Sequence, residues 1–248
     1  MLWCPHVRGF IDLHCHWVVA IDDGVRTTAD AVALLAGLHA AGFDRVVATP
    51  HMRPGMFDNT KADLQAAYAA TRRDIATAPG LPATLDLASE HFFDDVVFDR
   101  FMAGEVLPYP GGHAALVEIS PRLFPAHLEH RFFDLMRKGI RPVLAHPERY
   151  EPVWKDIKVL ERIVDGGTVL LLDVAALAGK YGKAPRRAAE ALLEAGFYYA
   201  ACSDAHKPAD VASVKEGIEE LEDIAGEEEA EFLLREGPTH ILEGRVEV

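Results

Sequence analysis

Three features of the 248-residue sequence predict an α/β chain built on a parallel, barrel-type sheet. Short β-type runs alternate with helical patterns along its length, which argues for βα units and a parallel sheet. The runs are apolar or β-branched through their middles, as strands covered on both faces should be. Six of about seven close on histidine, aspartate or glutamate. The carboxyl ends of barrel strands are where (β/α) sites assemble, whereas an open sheet would scatter such residues along an edge.

The first strand is "GFIDLH", which runs into "CHWVVAIDDG". A helix follows in "TTADAVALLAGLHAAG", with apolar residues at helical spacing and a closing glycine, the usual residue after a helix C-terminus. "RVVATPH" reads as the second strand, "NTKADLQAAYAATRRDIATA" as a helix and "ATLDLASEH" as the third strand. Residues 92–112 read as a helical insertion. "ALVEIS", "PVLAHPER", "TVLLLDV" and "YYAACSDAH" supply the remaining strands, separated by the helices "AHLEHRFFDLMRKG", "IKVLERIVDGG" and "PRRAAEALLEAG". Residues 208–235 read as one or two final helices. No Ser/Gly/Pro-rich linker divides the chain, so 1–248 reads as a single domain with a short extension, "MLWCPHVR", at 1–8.

Composition narrows the function. A chain that is half hydrophobic can bury a sizeable core. Its formal charge of −14 repels DNA and anionic lipid, and no basic block compensates, so no nucleic-acid partner is expected, while a local basic pocket stays open. No apolar run approaches the roughly 18 residues of a membrane span, and no leader-like segment opens the chain, which reads as soluble and cytoplasmic. Cys4, Cys15 and Cys202 cannot all pair and form no zinc-type spacing, so they read as reduced thiols. Phe10, Ile21 and Pro208 stand six positions after them, where a cysteine-dependent tyrosine phosphatase needs arginine.

His14 and His16 lie at i and i+2, so on a strand both imidazoles point one way and converge as ligands of a divalent ion. Other strand ends carry His51, Glu90, Glu118, His146, Asp204 and His206. Each has an ordinary alternative: His51 a loop histidine, His146 a strand cap, Glu90 and Glu118 partners of surface arginines, Asp204 a helix N-cap. Recurrence at equivalent places outweighs these alternatives and points to a polynuclear metal site. Asp173 also ends a strand but is set outside the ligand group, as a capping or supporting residue. His39, His113, His127, His130 and His240 fall in helices or connections and read as surface or packing residues.

"DLHCH", "IDDG", "ATPH", "SE", "VEIS", "AHPERY" and "SDAH" together resemble the PHP (polymerase and histidinol phosphatase) superfamily. Within it, the series with "GMF" and "HPERY" is similar to the manganese-dependent protein-tyrosine phosphatases of bacterial capsule and exopolysaccharide loci, the CpsB/CapC type. The matches run from residue 9 to 207. The resemblance implies a distorted (β/α)7 TIM-like barrel, the PHP fold, holding three divalent ions. One ion would take His14, His16, Glu90 and Asp204; a second Glu90, Glu118 and His146; a third Asp23, His51 and His206, with Asp22 as the neighbour of the ligand. Arg149 would grip phosphate, with Lys207 and Arg53 as further substrate-binding residues and Asp204 and His206 in the catalytic set. Two departures stand out. The arginine that usually follows Ser-Asp-x-His is replaced by Lys207 and Lys215, and Asp173 occupies a strand end where a neutral polar residue is expected.

Electrostatics supports this set independently. Asp23, Glu90, Glu118 and Asp204 bring four negative charges to one mouth, and three divalent ions would reverse that to about +2, which suits a phosphate dianion. Ions there can lower the pKa of a bridging water for in-line attack, while Arg149 holds the equatorial oxygens. The activity that the resemblance implies is hydrolysis of phosphotyrosine in a protein, with a bacterial tyrosine kinase of polysaccharide assembly as the partner. The competing readings are a small-metabolite phosphatase, for example of histidinol phosphate, and a non-catalytic metal-binding regulator. Five histidines and four carboxylates accept manganese, the metal the resemblance implies, and also zinc, iron or cobalt.

Overall fold

In the computed structural model, which describes residues 9–246, nine strands are all paired in parallel. The N-terminal extension at 1–8, with Trp3 and Cys4, lies outside the described residues. The strands are β1 (Phe10–Cys15), β2 (Phe43–Ala48), β3 (His51–Met52), β4 (Thr84–Leu87), β5 (Glu90–Phe92), β6 (Ala114–Glu118), β7 (Arg141–Ala145), β8 (Val169–Asp173) and β9 (Tyr198–Cys202). Between and after them lie α1 (Thr28–Ala40), α2 (Lys61–Asp74), α3 (Asp95–Ala103), α4 (Leu128–Arg137), α5 (Glu151–Lys155), α6 (Glu161–Asp165), α7 (Lys183–Glu194), α8 (Asp210–Ala225), α9 (Glu227–Glu231) and α10 (Gly237–Glu243). Local chemistry starts several helices. Thr60 caps α2 in a reciprocal box with Asp63, and Asp94 caps α3, which stops at left-handed Gly104.

The architecture is the expected distorted barrel with seven strand positions, but its ladder is divided. One sheet runs β1-β2-β4 and the other β3-β5-β6-β7-β8-β9. "RVVATPH" and "ATLDLASEH", each read as one strand, are each cut in two. Pro50 has no N–H to donate, and Thr49 instead bonds back to Cys15 through its amide (2.9 Å) and its hydroxyl oxygen (3.1 Å). The carbonyl of Pro50 then accepts from Ser89 Oγ and the Glu90 amide. The lower halves therefore join β1 in one sheet, β2 beside β1 and β4 beside β2, while the upper halves pair with each other and β5 continues the second sheet to β6. At the other seam β1 meets the segment after β9 through a Cys15–Ala205 bridge, with His16 N–H to Ala205 O at 2.9 Å and Asp204 N–H to His14 O at 3.0 Å.

Two clusters form the core. The inner one takes alternate residues from the strands, including Leu13, Val47, Leu116, Val143, Leu171 and Ala200, and is joined by Tyr109 and by Ile241 and Leu242 of α10. The outer one packs the opposite strand faces against the helices.

Four boundaries differ from expectation. The strand read into "HPER" ends at Ala145, because His146 turns left-handed (φ 35°) and a 3-10 turn, Pro147–Arg149, follows. "YYAACSDAH" likewise ends at Cys202, before left-handed Asp204 (φ 40°). The insertion at 92–112 holds only the nine-residue α3 and a loop. The final helices continue past 235 to Glu243, because Gly237 presses on β9: a Cβ there would sit 1.9 Å from the Tyr199 carbonyl oxygen. Among the described residues no helix is long and apolar enough to cross a membrane.

Candidate metal centre

β1 delivers His14 and the following turn His16, both fully buried. The chain then folds back on itself, with Val25 N–H bonded to His16 O at 3.2 Å. This return requires glycine at 24, since a Cβ there would lie 2.2 Å from the His16 carbonyl. The turn separates the roles of the two aspartates of "IDDG". Asp22 is buried and accepts the His16 Nδ1 proton at 2.7 Å, fixing the tautomer that leaves Nε2 free. Asp23, about half exposed, brings Oδ1 to 3.4 Å from His51 Nε2 and 3.6 Å from His206 Nε2.

His51 and Glu90 begin the short strands β3 and β5 and face each other in register. The His51 ring is stacked on Phe57 (centroids 5.1 Å apart, planes 3° apart), which gives the "GMF" segment a physical role. Glu118 ends β6, and His146 and Asp204 follow β7 and β9 in left-handed backbone that non-glycine residues rarely adopt. His91, next to Glu90, is not available as a ligand. Its Nδ1 donates to Leu116 O, its Nε2 accepts from Leu107 N–H, and burial pushes its pKa down to about 4.

All nine predicted ligands come together. The groups whose ligand atoms lie within 4.8 Å of one another are His16, Asp23, His51 and His206; His14, Glu90 and His146; His14, His16 and Asp204; and His51, Glu90 and Glu118. The groups overlap: His16 stands both with Asp23 and with His14, and Glu118 meets Glu90 beside His51.

The atoms at the centre fit cations. His14 Nε2 is 3.1 Å from His16 Nε2, 3.3 Å from Glu90 Oε2 and 3.2 Å from Asp204 Oδ1. Two imidazole nitrogens that close repel unless a proton or a metal ion lies between them and the carboxylates. Glu118 Oε2, Asp204 Oδ1 and His51 Nδ1 are buried without hydrogen-bond partners among the described residues, which a cation would remedy.

Without cations, protons carry the balance. Burial depresses the pKa of His51, but Glu90, Asp23 and Glu118 outweigh it and lift it to about 11; His206 is lifted to about 9, burial again being overcome by Asp204 and Asp23. Glu90 and Asp204 move down despite burial, because charged imidazoles face them. Glu118 moves up to about 7, through burial and the charge of Glu90.

Arg149 stands beside this cluster, ion-paired with Asp204 Oδ2, its Cζ 4.6 Å from the centre of the Tyr181 ring. It opens onto a cavity of about 490 Å³ whose wall also carries Arg26, Lys180, Tyr181 and Lys207. Lys207 is thus at the mouth, whereas Lys215 lies against Ala41 and Ile218, away from it. Arg53 is on another side of the cluster, 3.8 Å from Glu118 and over the Phe92 ring, and does not line the cavity. Reasoning from the sequence missed Tyr181 and Lys180, which stand in the loop after β8 and follow no local pattern. It also missed Asp12, which accepts from the Ser203 amide and hydroxyl and so anchors the loop that carries Asp204.

The same architecture recurs in known proteins. Tyrosine-protein phosphatase YwqE of Bacillus subtilis is 28% identical over 196 residues, 79% of this chain and 77% of that protein. Tyrosine-protein phosphatase CpsB of Streptococcus pneumoniae is 24% identical over 201 residues, 79% of this chain and 82% of that one. A crystal structure from work on YwqE and CpsB, described as metal-dependent tyrosine phosphatases, superposes with a TM-score of 0.86 at 26% identity and covers 96% of both chains. The phosphotriesterase homology protein of Escherichia coli shares the fold alone, with a TM-score of 0.60 at 12% identity. The family profile for capsular polysaccharide synthesis, CpsB/CapC, matches residues 10–243, a span that contains every strand and every candidate ligand, and the chain belongs to that family.

Proposed function

We propose that this chain is a metal-dependent phosphomonoesterase that removes phosphate from tyrosine in proteins, with a tyrosine kinase of capsule or exopolysaccharide assembly as its partner, and that it works in the cytoplasm. The observation that carries this reading is the juxtaposition of nine ligand-type side chains with Arg149 at the edge of a cavity walled by Arg26, Lys180 and Lys207, in a chain of net charge −14. Arg26, Arg149, Lys180 and Lys207 share that cavity with Asp23, Asp30, Asp204 and Asp210, and the wall turns cationic, as an anionic substrate requires, once divalent ions neutralise Asp23 and Asp204 of the cluster.

His14, His16, Asp23, His51, Glu90, Glu118, His146, Asp204 and His206 would hold divalent ions, three of them and manganese first among the candidates. Bound there, such ions supply Lewis acidity toward phosphoryl oxygens and an activated water. The protein's own groups do the rest. Asp22 orients His16, and His206 Nδ1 donates to the Asp204 carbonyl at 3.0 Å, which leaves its Nε2 facing Asp23. Arg149 presents a planar fork of N–H donors to the equatorial oxygens, where negative charge rises in the transition state. Lys207 adds a mobile positive charge at the rim, and Arg53 one beside Glu118. A phenolate leaves with little help, so no separate strong acid is needed.

The test is hydrolysis by protein stripped of metal and reloaded with manganese, zinc, iron or cobalt in turn. A phosphotyrosine peptide should be cleaved well and histidinol phosphate poorly. Preference for histidinol phosphate would make this a metabolite phosphatase, and failure on every phosphomonoester with all four metals would leave only a metal-binding regulator.

A further inference from the structure

Asp173 is the unexplained residue of this site. It ends β8 fully buried, and its Oδ1 accepts the Ala175 amide at 2.9 Å. Its Oδ2 makes no well-formed hydrogen bond among the described residues, with Arg149 Nη1 3.9 Å away and the Tyr181 hydroxyl facing the same carboxyl group. The spacing is rigidly set, because Glu148, next to Arg149 in the turn, accepts the Asp173 amide at 3.1 Å through Oε1 and the Tyr198 hydroxyl at 2.9 Å through Oε2. The Glu148 carbonyl is held in turn by the Trp154 indole N–H at 2.7 Å. A buried carboxylate oxygen within reach of a guanidinium, with no well-formed bond to it, has acceptor capacity to spare.

Arg149 is meanwhile engaged by Asp204, whose other oxygen faces His14, His16 and His206. Cations held by those imidazoles would draw on the charge of Asp204 and loosen its hold on Arg149. On the proposed phosphatase reading, on which this inference rests, the guanidinium must then be kept at the cavity wall by something else. We propose that Asp173 and Tyr181 are positioning residues for Arg149: Asp173 Oδ2 takes up Nη1 and the Tyr181 ring supports the guanidinium face, leaving its remaining N–H groups to substrate phosphate. Aromatic support and a carboxylate behind the fork are the two contacts that lock an arginine without occupying its outer edge.

The test compares Asp173→Asn, Tyr181→Ala and Tyr181→Phe with the unaltered protein, all loaded with manganese and matched for metal content. Asparagine keeps the shape and the acceptor for Ala175 but turns an N–H group toward Arg149. Calorimetry should show inorganic phosphate binding weakened about tenfold by Asp173→Asn, the scale of coupling between contacting residues. KM for p-nitrophenyl phosphate should rise in step and kcat should change less. Tyr181→Ala should do the same and Tyr181→Phe should not. In an Arg149→Ala background, Asp173→Asn should cause no further loss. An equal loss in that background, or tighter phosphate binding by Asp173→Asn, would overturn the proposal; should Asp173→Asn fail to fold, equal behaviour of the two Tyr181 variants would do so. An unaltered protein that neither binds phosphate nor hydrolyses any ester would instead sink the phosphatase reading, whereas an active one indifferent to these changes sinks the positioning role alone.

Discussion

Asp22 Oδ2 accepts the Nδ1 proton of His16 at 2.7 Å and, from the same oxygen, the backbone amide of His51 at 3.1 Å. One carboxylate thus sets the ring orientation of one candidate ligand and the main-chain position of another. Supporting carboxylates of this kind typically govern metal affinity by roughly 10- to 100-fold. Asp22→Asn should therefore weaken manganese binding by about that factor, with activity partly recovered at high metal concentration. A titration showing unchanged affinity would refute the orienting role.

Arg149→Ala should lower kcat by roughly two to three orders of magnitude, the usual result of removing a group that stabilises developing charge. Metal content should stay close to normal, because Arg149 touches the cluster only through Asp204 Oδ2. Near-normal turnover would reduce Arg149 to a structural partner of that acid.

Thiol chemistry should be dispensable. Cys15 and Cys202 are fully buried, and burial, with Asp12 next, pushes both thiols well above their ordinary pKa, the reverse of what a nucleophile requires. Cys15→Ala and Cys202→Ala should retain most activity while melting somewhat lower through lost packing. Abolished turnover in a variant that keeps its metal would contradict hydrolysis by an activated water.

Metal removal should have a pH signature. In the metal-free site the His206 pKa stands at about 9, above its unfolded value near 6.5. Its stabilising contribution is thus complete below about 6.5 and is lost as pH rises through 9. Glu118, raised to about 7, acts in the same direction, since its protonated form is favoured by folding and disappears as pH rises. Chelated protein should consequently melt higher at pH 6 than at pH 9.5, and the gain in melting temperature on adding manganese should be larger at the higher pH. Equal melting of chelated and loaded protein at both pH values would mean that these side chains do not form a metal site.

The candidate ligands were legible because their signal is local: His14 and His16 share a strand face by spacing alone, and the other strand ends repeat the pattern. The division of labour between Asp22 and Asp23 was not, since neighbouring carboxylates differ only once the turn around Gly24 has aimed them. Breaks at Pro50 and Ser89 were hidden for a similar reason. A strand that changes hydrogen-bonding partner midway keeps the same apolar pattern. The continuation of the final helices past 235 was hidden too, and only the approach of Tyr199 shows why residue 237 must be glycine. Tyr181 and Asp173 became meaningful through the placement of the loop after β8 beside the turn after β7, a tertiary relation that no local pattern records.

The inner cluster draws on Leu13 near the start of the chain and on Ile241 and Leu242 near its end, and Cys15 in β1 is joined to Ala205, 190 residues away. This has a consequence for biosynthesis. A ribosome releases the N-terminal strands first, and domains fold as their parts emerge. Until residue 205 is out, β1 lacks its neighbour on that side, and until α10 is out the barrel interior is not filled. Nascent chains therefore pass through half-rings with open strand edges, the species most prone to wrong pairing, and their closure is slow because the contacts that complete the ring are the most distant in sequence. A chain cut after residue 235 would carry every candidate ligand and still lack Ile241 and Leu242. Truncation after residue 235 should accordingly lower the soluble yield in the cell, read by expression beside residues 1–248.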